Sequence, residues 1–352
     1  MLYQTENQHG GDVYGGGITL DFSANTNPLG TPPGVLEAVC RALPRLHRYP
    51  DPYCRRLVQA IAAHEQVPAS YILCGNGAAD LIYTYCAALR PRTAVELAPT
   101  FVEYGAGLAQ VGCRVERYFL HQAQNFDLDE RFLSFLEEKK SEVVFLCNPN
   151  NPTGQVIARS LLERIVRLCH EKNIHLFLDE CFLDLTDGGR EQSMKEGLAR
   201  YPGLLILKAF TKSYGMAGLR LGYCLTADPA LLTAMSRTVQ PWNVSGPAQA
   251  AGVAALGEAA FLHRTRQIIR EERRFLRRSL EEMGLRVCPS CVNYLLFYSP
   301  LPLHQKLLEK GIQIRDCGNY HGLGPGWCRI AVKTHQENQV LVSALGEILE
   351  EC

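Results

Sequence analysis

Between Ile72 and Leu207 the chain repeats one pattern: a short apolar run, a turn built from glycine, proline or asparagine, then an amphipathic stretch. The runs Ile72–Cys74, Ala94–Ala98, Val143–Cys147, His175–Leu178 and Leu204–Leu207 are too short for helices and apolar on both faces. That is how strands buried on both sides of a sheet read. Their alternation with helical stretches at Ala78–Leu89, Phe101–Val111 and Leu161–Lys172 predicts an α/β fold with a mostly parallel sheet covered on both faces. Ligands in such sheets collect beyond the carboxyl ends of the strands. Four polar features sit at those ends: Gly75-Asn-Gly77, the turn Asn148-Pro-Asn-Asn-Pro-Thr-Gly154 with Asn151, the pair Asp179-Glu180, and Lys212.

Each of these points to one kind of chemistry. Lys212 follows the apolar run Leu204–Leu207, lies among small residues, and precedes Arg220 by eight positions. Removing an ammonium from water lowers its pKa, which is what a lysine nucleophile needs. Gly75-Asn-Gly77 opens a helix, so Gly77, Ala78 and Ala79 would offer free backbone N–H groups to a phosphate. The P-loop lysine and the dinucleotide-binding glycine spacing are both missing there.

A chain of 352 residues exceeds the usual size of one core, so two lobes are expected. A long helical run from Gln249 to Met283 reads as a helix joining them, with its Arg/Glu face in solvent. Asn293–Tyr298, Ile312–Arg315 and Cys328–Val332 read as strands, and Leu303–Lys310 and Glu337–Glu350 as helices. Arg315 and Arg329 interrupt strands that are otherwise apolar; each must meet an anion or reach the surface. Near the start, Asn25, Asn27 and Pro28 form a polar turn, and the leader His9-Gly10-Gly11 is too rich in glycine for regular structure. Tyr49 precedes a proline and is biased toward an extended backbone with its ring outward.

Thirty-six basic residues balance 36 acidic ones, which argues against nucleic acid or a membrane surface as partner. No apolar run reaches membrane-spanning length, and Met1–Asn7 lacks the pattern of a signal peptide. The 14 cysteines fall mostly in apolar segments (Cys86, Cys147, Cys224), as expected of core residues in a reducing cytoplasm. Cys288 and Cys291 have no second pair at zinc-ribbon spacing, so no metal site is expected.

Asn148-Pro-Asn-Asn-Pro-Thr-Gly154, Asp179-Glu180 and Thr211-Lys212 with Arg220, in that order, resemble the fold-type-I pyridoxal-phosphate enzymes. The branch is that of the histidinol-phosphate aminotransferases, and the likeness spans most of the chain. It implies a large cofactor-binding domain over 46–245 and a small α+β domain made of 1–45 with 246–352. It implies that Lys212 bonds covalently to pyridoxal 5'-phosphate and moves protons at the substrate Cα. Asp179 would pair with the ring nitrogen, Asn151 with the ring hydroxyl, and Phe101 would stack on the ring, with Tyr104 nearby. Gly77, Ala78, Ala79, Thr211 and Arg220 would hold the cofactor phosphate. Tyr49 would reach the cofactor phosphate of the neighbouring subunit, so a homodimer is implied too. Arg329 matches the arginine that takes the substrate carboxylate.

Within the branch the chain is most similar to the threonine-phosphate decarboxylases. The segments that carry this are His9-Gly-Gly11, Asp21-Phe-Ser-Ala-Asn-Thr-Asn-Pro-Leu-Gly30, Val67-Pro-Ala-Ser70 and Ile314-Arg-x-Cys-x-Asn-Tyr-x-Gly-Leu323. Thr26 stands where aminotransferases of the branch carry glutamate, and Phe182 where they carry tyrosine. The resemblance implies decarboxylation of threonine phosphate, or of serine phosphate, for the nucleotide loop of cobalamin. Arg315, Asn25 and the His9–Gly11 backbone would clamp the substrate phosphate. Ala209 and Asp12 depart from the pattern, at the cofactor phosphate and in the leader. The alternative is a histidinol-phosphate aminotransferase using 2-oxoglutarate. A transcription regulator on the same fold is disfavoured by the zero net charge and by the position of the catalytic set near the start of the chain.

Overall fold

The computed structural model describes residues 9–351. Met1–Gln8, whose beginning was read above as no signal peptide, lies outside the described residues. In chain order the strands are β1 (Leu20–Asp21), β2 (Ile72–Gly75), β3 (Thr93–Ala98), β4 (Arg114–Phe119), β5 (Val143–Cys147), β6 (His175–Asp179), β7 (Leu204–Ala209), β8 (Gly222–Thr226), β9 (Arg286–Val287), β10 (Tyr294–Tyr298), β11 (Ile312–Gln313), β12 (Arg315–Asp316) and β13 (Trp327–Ala331). The central sheet has the order β2-β8-β7-β6-β5-β3-β4. Neighbours from β4 to β7 pair in parallel, and only β8 runs the other way between β7 and β2. The chain is thus an α/β protein with a mostly parallel sheet.

The reason is burial. Every residue of β5, β7 and β8 is buried, so both faces of these strands are largely apolar. The helix Arg159–Glu171 covers one face with Leu161, Leu162, Ile165, Val166 and Cys169, a helical stripe. On the other face Phe145 of β5 and Phe177 of β6 meet Tyr85 and Tyr104 from the covering helices, with ring centroids 4.7–6.3 Å apart. A cluster of charged groups breaks this core. Lys208 in β7 is 1% exposed, and its ammonium sits 3.3 Å from Glu180 and 3.7 Å from Asp184. An unpaired charge there would cost several kcal/mol, roughly as much as a large share of the net stability. Glu65, bonded to the Tyr223 phenol at 2.6 Å and to Lys195 at 3.0 Å, completes the cluster.

The C-terminal part builds a four-stranded antiparallel sheet, β12-β13-β10-β9, whose buried face holds Leu295, Phe297, Ile330 and the stripe Leu276–Leu280 of the helix Ala259–Glu282. Two expectations are corrected here. The helical run from Gln249 to Met283 is two helices, Gly246–Ala255 and Ala259–Glu282. Gly257, a weak helix former, sits in the turn between them, with its N–H bonded to Ala254. The single strand Ile312–Arg315 is two: β11 pairs in parallel with β1, and β12 pairs with β13. The N-terminal residues thereby join the C-terminal layer.

Candidate active site

The carboxyl ends of β2, β3, β5, β6 and β7 point to one edge of the sheet. There β8 begins, Gly222 facing both Gly75 and Ala209. Its arrival brings Arg220, the residue two before it, to the same edge. A cavity of about 350 Å³ opens there, and 22 residues line it. Of the residues singled out from the sequence, His9, Gly10, Asn25, Ala78, Ala79, Phe101, Asn151, Asp179, Thr211, Lys212, Arg220, Arg315 and Arg329 all line it.

Lys212 lies on the short helix Phe210–Ser213 that follows β7. Its side chain is half-buried and opens onto the cavity, with the ammonium 5.7 Å from the centre of the Phe182 ring. Burial, and then the charge of Arg329, lower its pKa to about 8. Asp179 ends β6, 6% exposed. One carboxylate oxygen accepts the Tyr104 phenol at 2.6 Å and the other the Cys181 N–H at 2.9 Å. Burial pushes its pKa up despite these bonds and the positive charge of Lys212. A cationic N–H donor in the cavity would relieve that penalty.

The Asn-Pro-Asn-Asn-Pro turn owes its shape to Asn150. That side chain accepts from Thr100 at 2.8 Å and donates to Pro99 and Thr153 at 3.0 and 3.1 Å. Asn151 is left to face the cavity, where it accepts from the Arg329 guanidinium. The second arm of that guanidinium donates to the Ser23 carbonyl at 2.9 Å. Its Nε, buried, meets no hydrogen-bond partner among the described residues. Arg315 faces Arg329 directly across β12 and β13 and donates to Asn319 at 2.8 Å.

Gly77 opens the helix Ala78–Leu89 with φ +84°, and no side chain caps that helix end. A Cβ on Gly77 would stand 2.6 Å from the Arg220 guanidinium, so the loop and the arginine enclose a cradle only glycine permits. Gly77 itself does not line the cavity; it lies behind Arg220, which does. Gly11 does not line it: its N–H donates to Ser23 Oγ at 2.7 Å. Tyr49 lies elsewhere, 78% exposed and stacked on Trp242 at 4.3 Å. Asn27 has a structural task, bonding the Ser213 carbonyl at 2.7 Å and Thr265 at 2.9 Å beneath the lysine helix. The sequence reading passed over Ser23, Glu103, Cys147, Cys181 and Tyr320 as lining residues. Tyr104, expected near the cofactor ring, donates to the Asp179 carboxylate that would pair with that ring.

The profile of the family described as Aminotransferase class I and II matches residues 18–345. The chain belongs to that family. It is 40% identical over 334 residues to the threonine-phosphate decarboxylase of Salmonella typhimurium, covering 94% of this chain and 91% of that protein. The fold is similar to the histidinol-phosphate aminotransferase of Clostridium acetobutylicum, with a TM-score of 0.88 at 28% identity over 95% of this chain and all of that one. It is also similar to the Sinorhizobium meliloti histidinol-phosphate aminotransferase solved with pyridoxal-5'-phosphate, with a TM-score of 0.85 at 25% identity over 95% and 92% of the two chains.

Pyridoxal 5'-phosphate is therefore the cofactor. The residues fit it: a cavity-lining lysine of lowered pKa, a buried carboxylate short of a cationic partner, and a glycine cradle at an uncapped helix end beside an arginine. Among the described residues no helix is long and apolar enough to cross a membrane.

Proposed function

We propose that the protein decarboxylates L-threonine O-3-phosphate to (R)-1-aminopropan-2-yl phosphate, or serine phosphate to its lower homologue, in making the cobalamin nucleotide loop. The observation that carries this reading is 40% identity, over 94% of the chain, to a threonine-phosphate decarboxylase, and Arg315 opposite Arg329 supports it. Like charges directly across two strands repel. Here both side chains are under 10% exposed and line one cavity. A substrate with two anionic ends, carboxylate and phosphate, answers that arrangement.

The chemistry divides among named residues. The cofactor, when bound, supplies an electron sink for the pair left at Cα when a bond there breaks. Asp179 would hold the ring nitrogen, Asn151 the ring hydroxyl, and Phe101 the ring face. Ala78, Ala79, Thr211, Arg220 and the Gly77 loop would hold its phosphate. Lys212, titrating near neutral pH, can carry a proton to Cα and take one back. Arg329 would bind the substrate carboxylate, and Arg315, Asn25 and the His9–Gly11 arm its phosphate. Phe182 puts an apolar ring where a tyrosine would bring a hydroxyl, and 40% identity to a decarboxylase supports the same choice.

The division into a domain over 46–245 and one over 1–45 with 246–352 is part of this reading. So is a cytoplasmic homodimer. Leu36, Leu43, Leu46, Tyr49, Tyr53 and Trp242 are all exposed large apolar side chains. A second copy would cover them and bring Tyr49 to the neighbouring cofactor phosphate.

The second reading, a histidinol-phosphate aminotransferase, is favoured by the fold match at 28% identity. Two parallel incubations separate the two. Threonine phosphate alone should yield amine phosphate and gas, whereas histidinol phosphate with 2-oxoglutarate should yield no glutamate. Glutamate formation with no gas from threonine phosphate would reverse the assignment.

A further inference from the structure

Ser23 lies one residue beyond the strand β1–Phe22 segment, 1% exposed, at the point where three parts of the site meet. Its N–H and its hydroxyl both donate to the same Asp21 carboxylate oxygen, at 2.8 and 2.5 Å. A serine hydroxyl has one proton. With that proton committed to Asp21, Oγ faces the N-terminal arm as an acceptor, and the Gly11 N–H donates to it at 2.7 Å. The Ser23 carbonyl accepts from Arg329 at 2.9 Å. Gly10 crosses directly over that carbonyl: a Cβ on Gly10 would stand 2.4 Å from the Ser23 oxygen and 2.9 Å from its Cβ. The arm therefore has to be glycine where it passes, and the peptide it rests on is the one Arg329 holds. Beyond this crossing, His9 reaches the cavity and pairs with Glu103 at 2.8 Å.

We propose that Ser23 is a positioning residue that fixes the arm and Arg329 to one peptide, so that the two parts of the site recognising the two ends of the substrate are set together. The part of the claim that concerns substrate rests on the functional reading above. Asp21 acts through Ser23 by orienting the hydroxyl. The arm would then contribute to affinity for a phosphorylated substrate, and hardly at all for its unphosphorylated analogue, which has nothing for the arm to hold.

The test compares holoenzyme of the wild type with Ser23→Ala, Ser23→Thr and Gly10→Ala. Hydrogen–deuterium exchange of the peptide containing residues 9–12 reads the tie without substrate. In Ser23→Ala its exchange should speed up on the order of tenfold, the effect of one hydrogen bond to an oriented acceptor. Gly10→Ala, which displaces the arm without touching the hydroxyl, should do the same, and Ser23→Thr should restore slow exchange. The ratio of kcat/KM for threonine phosphate over threonine should fall by about the same factor in Ser23→Ala and Gly10→Ala, mostly through KM. Unchanged arm exchange in Ser23→Ala would overturn the proposal. An equal loss on both substrates together with a lower Tm would overturn it too, because that is a general loss of structure. Should wild type not turn over threonine phosphate, the functional reading fails, whereas the exchange comparison still decides the role of Ser23.

Discussion

Replacing Arg329 with leucine should raise the pKa of Lys212, and the size of the effect can be read from the rate at which cofactor-free protein takes up pyridoxal phosphate. Only the neutral amine reacts. With a pKa of about 8, roughly one-tenth of Lys212 is neutral at pH 7 and roughly nine-tenths at pH 9. Uptake should then rise about tenfold over that interval and level off above it. An ordinary lysine near 10.4 would give about a hundredfold rise and no plateau. Burial is the first cause of the lowered pKa and the Arg329 charge the second. Removing that charge should move the midpoint up and steepen the rise beyond about tenfold, toward that of an ordinary lysine. Stopped-flow absorbance from pH 6 upward (about pH 6 to 10, spanning both pKa values) measures it. A small amine run in parallel corrects for the titration of the cofactor itself. A hundredfold rise without a plateau in wild type, or the same midpoint in wild type and Arg329→Leu, would refute the reasoning.

Three further perturbations test other parts of the account. Burial raises the pKa of Glu65, but the charge of Lys208, the Tyr223 phenol and Lys195 outweigh it and lower the pKa from 4.5 to about 2. A depressed carboxylate pKa stabilises the fold above the unfolded value and loses that contribution as pH falls through the folded one, here about 3 kcal/mol. Glu65→Gln should lower Tm at pH 7 and flatten its fall between pH 4.5 and about 2; parallel curves for the two proteins would contradict this. Gly77→Ala, with φ +84° and a Cβ 2.6 Å from Arg220, should weaken cofactor binding on the order of tenfold in equilibrium dialysis. Phe182→Tyr should increase oxo-acid by-product from threonine phosphate and slow amine formation by about tenfold, as a new hydrogen bond to a charged group would do.

The strands that hold the site were legible because they are short, apolar and closed by turn residues; β5 keeps its expected bounds, β6 ends within a residue of them, and β7 runs on two residues past Leu207 to Ala209. What escaped was of two kinds. The edge strand β4, Arg-Val-Glu-Arg-Tyr-Phe, is half-exposed and charged, and Arg117 pairs with Glu96 in its neighbour at 2.8 Å. Charge of that kind hides a strand from any apolar pattern. The other kind is contact between distant residues. Lys208 reads as an ordinary lysine next to the active one, and only the fold shows Glu65, Glu180 and Asp184 around it. Ser23 reads as part of a polar turn, and its bond to an arm 12 residues earlier and to Arg329 exists only in space. Residues with a task of their own on a strand end, such as Lys212 and Asp179, announce themselves. Residues that hold another residue in place do not.

The central claim is that the carboxylate, and not the amino group, leaves the substrate. Threonine phosphate labelled with carbon-13 at the carboxyl carbon, incubated with the holoenzyme and followed by mass spectrometry of gas and solution, tests it directly. The account predicts one equivalent of labelled carbon dioxide for each amine phosphate formed, with the label gone from solution. Label retained in a 2-oxo acid, with the cofactor left in its amine form, would contradict it.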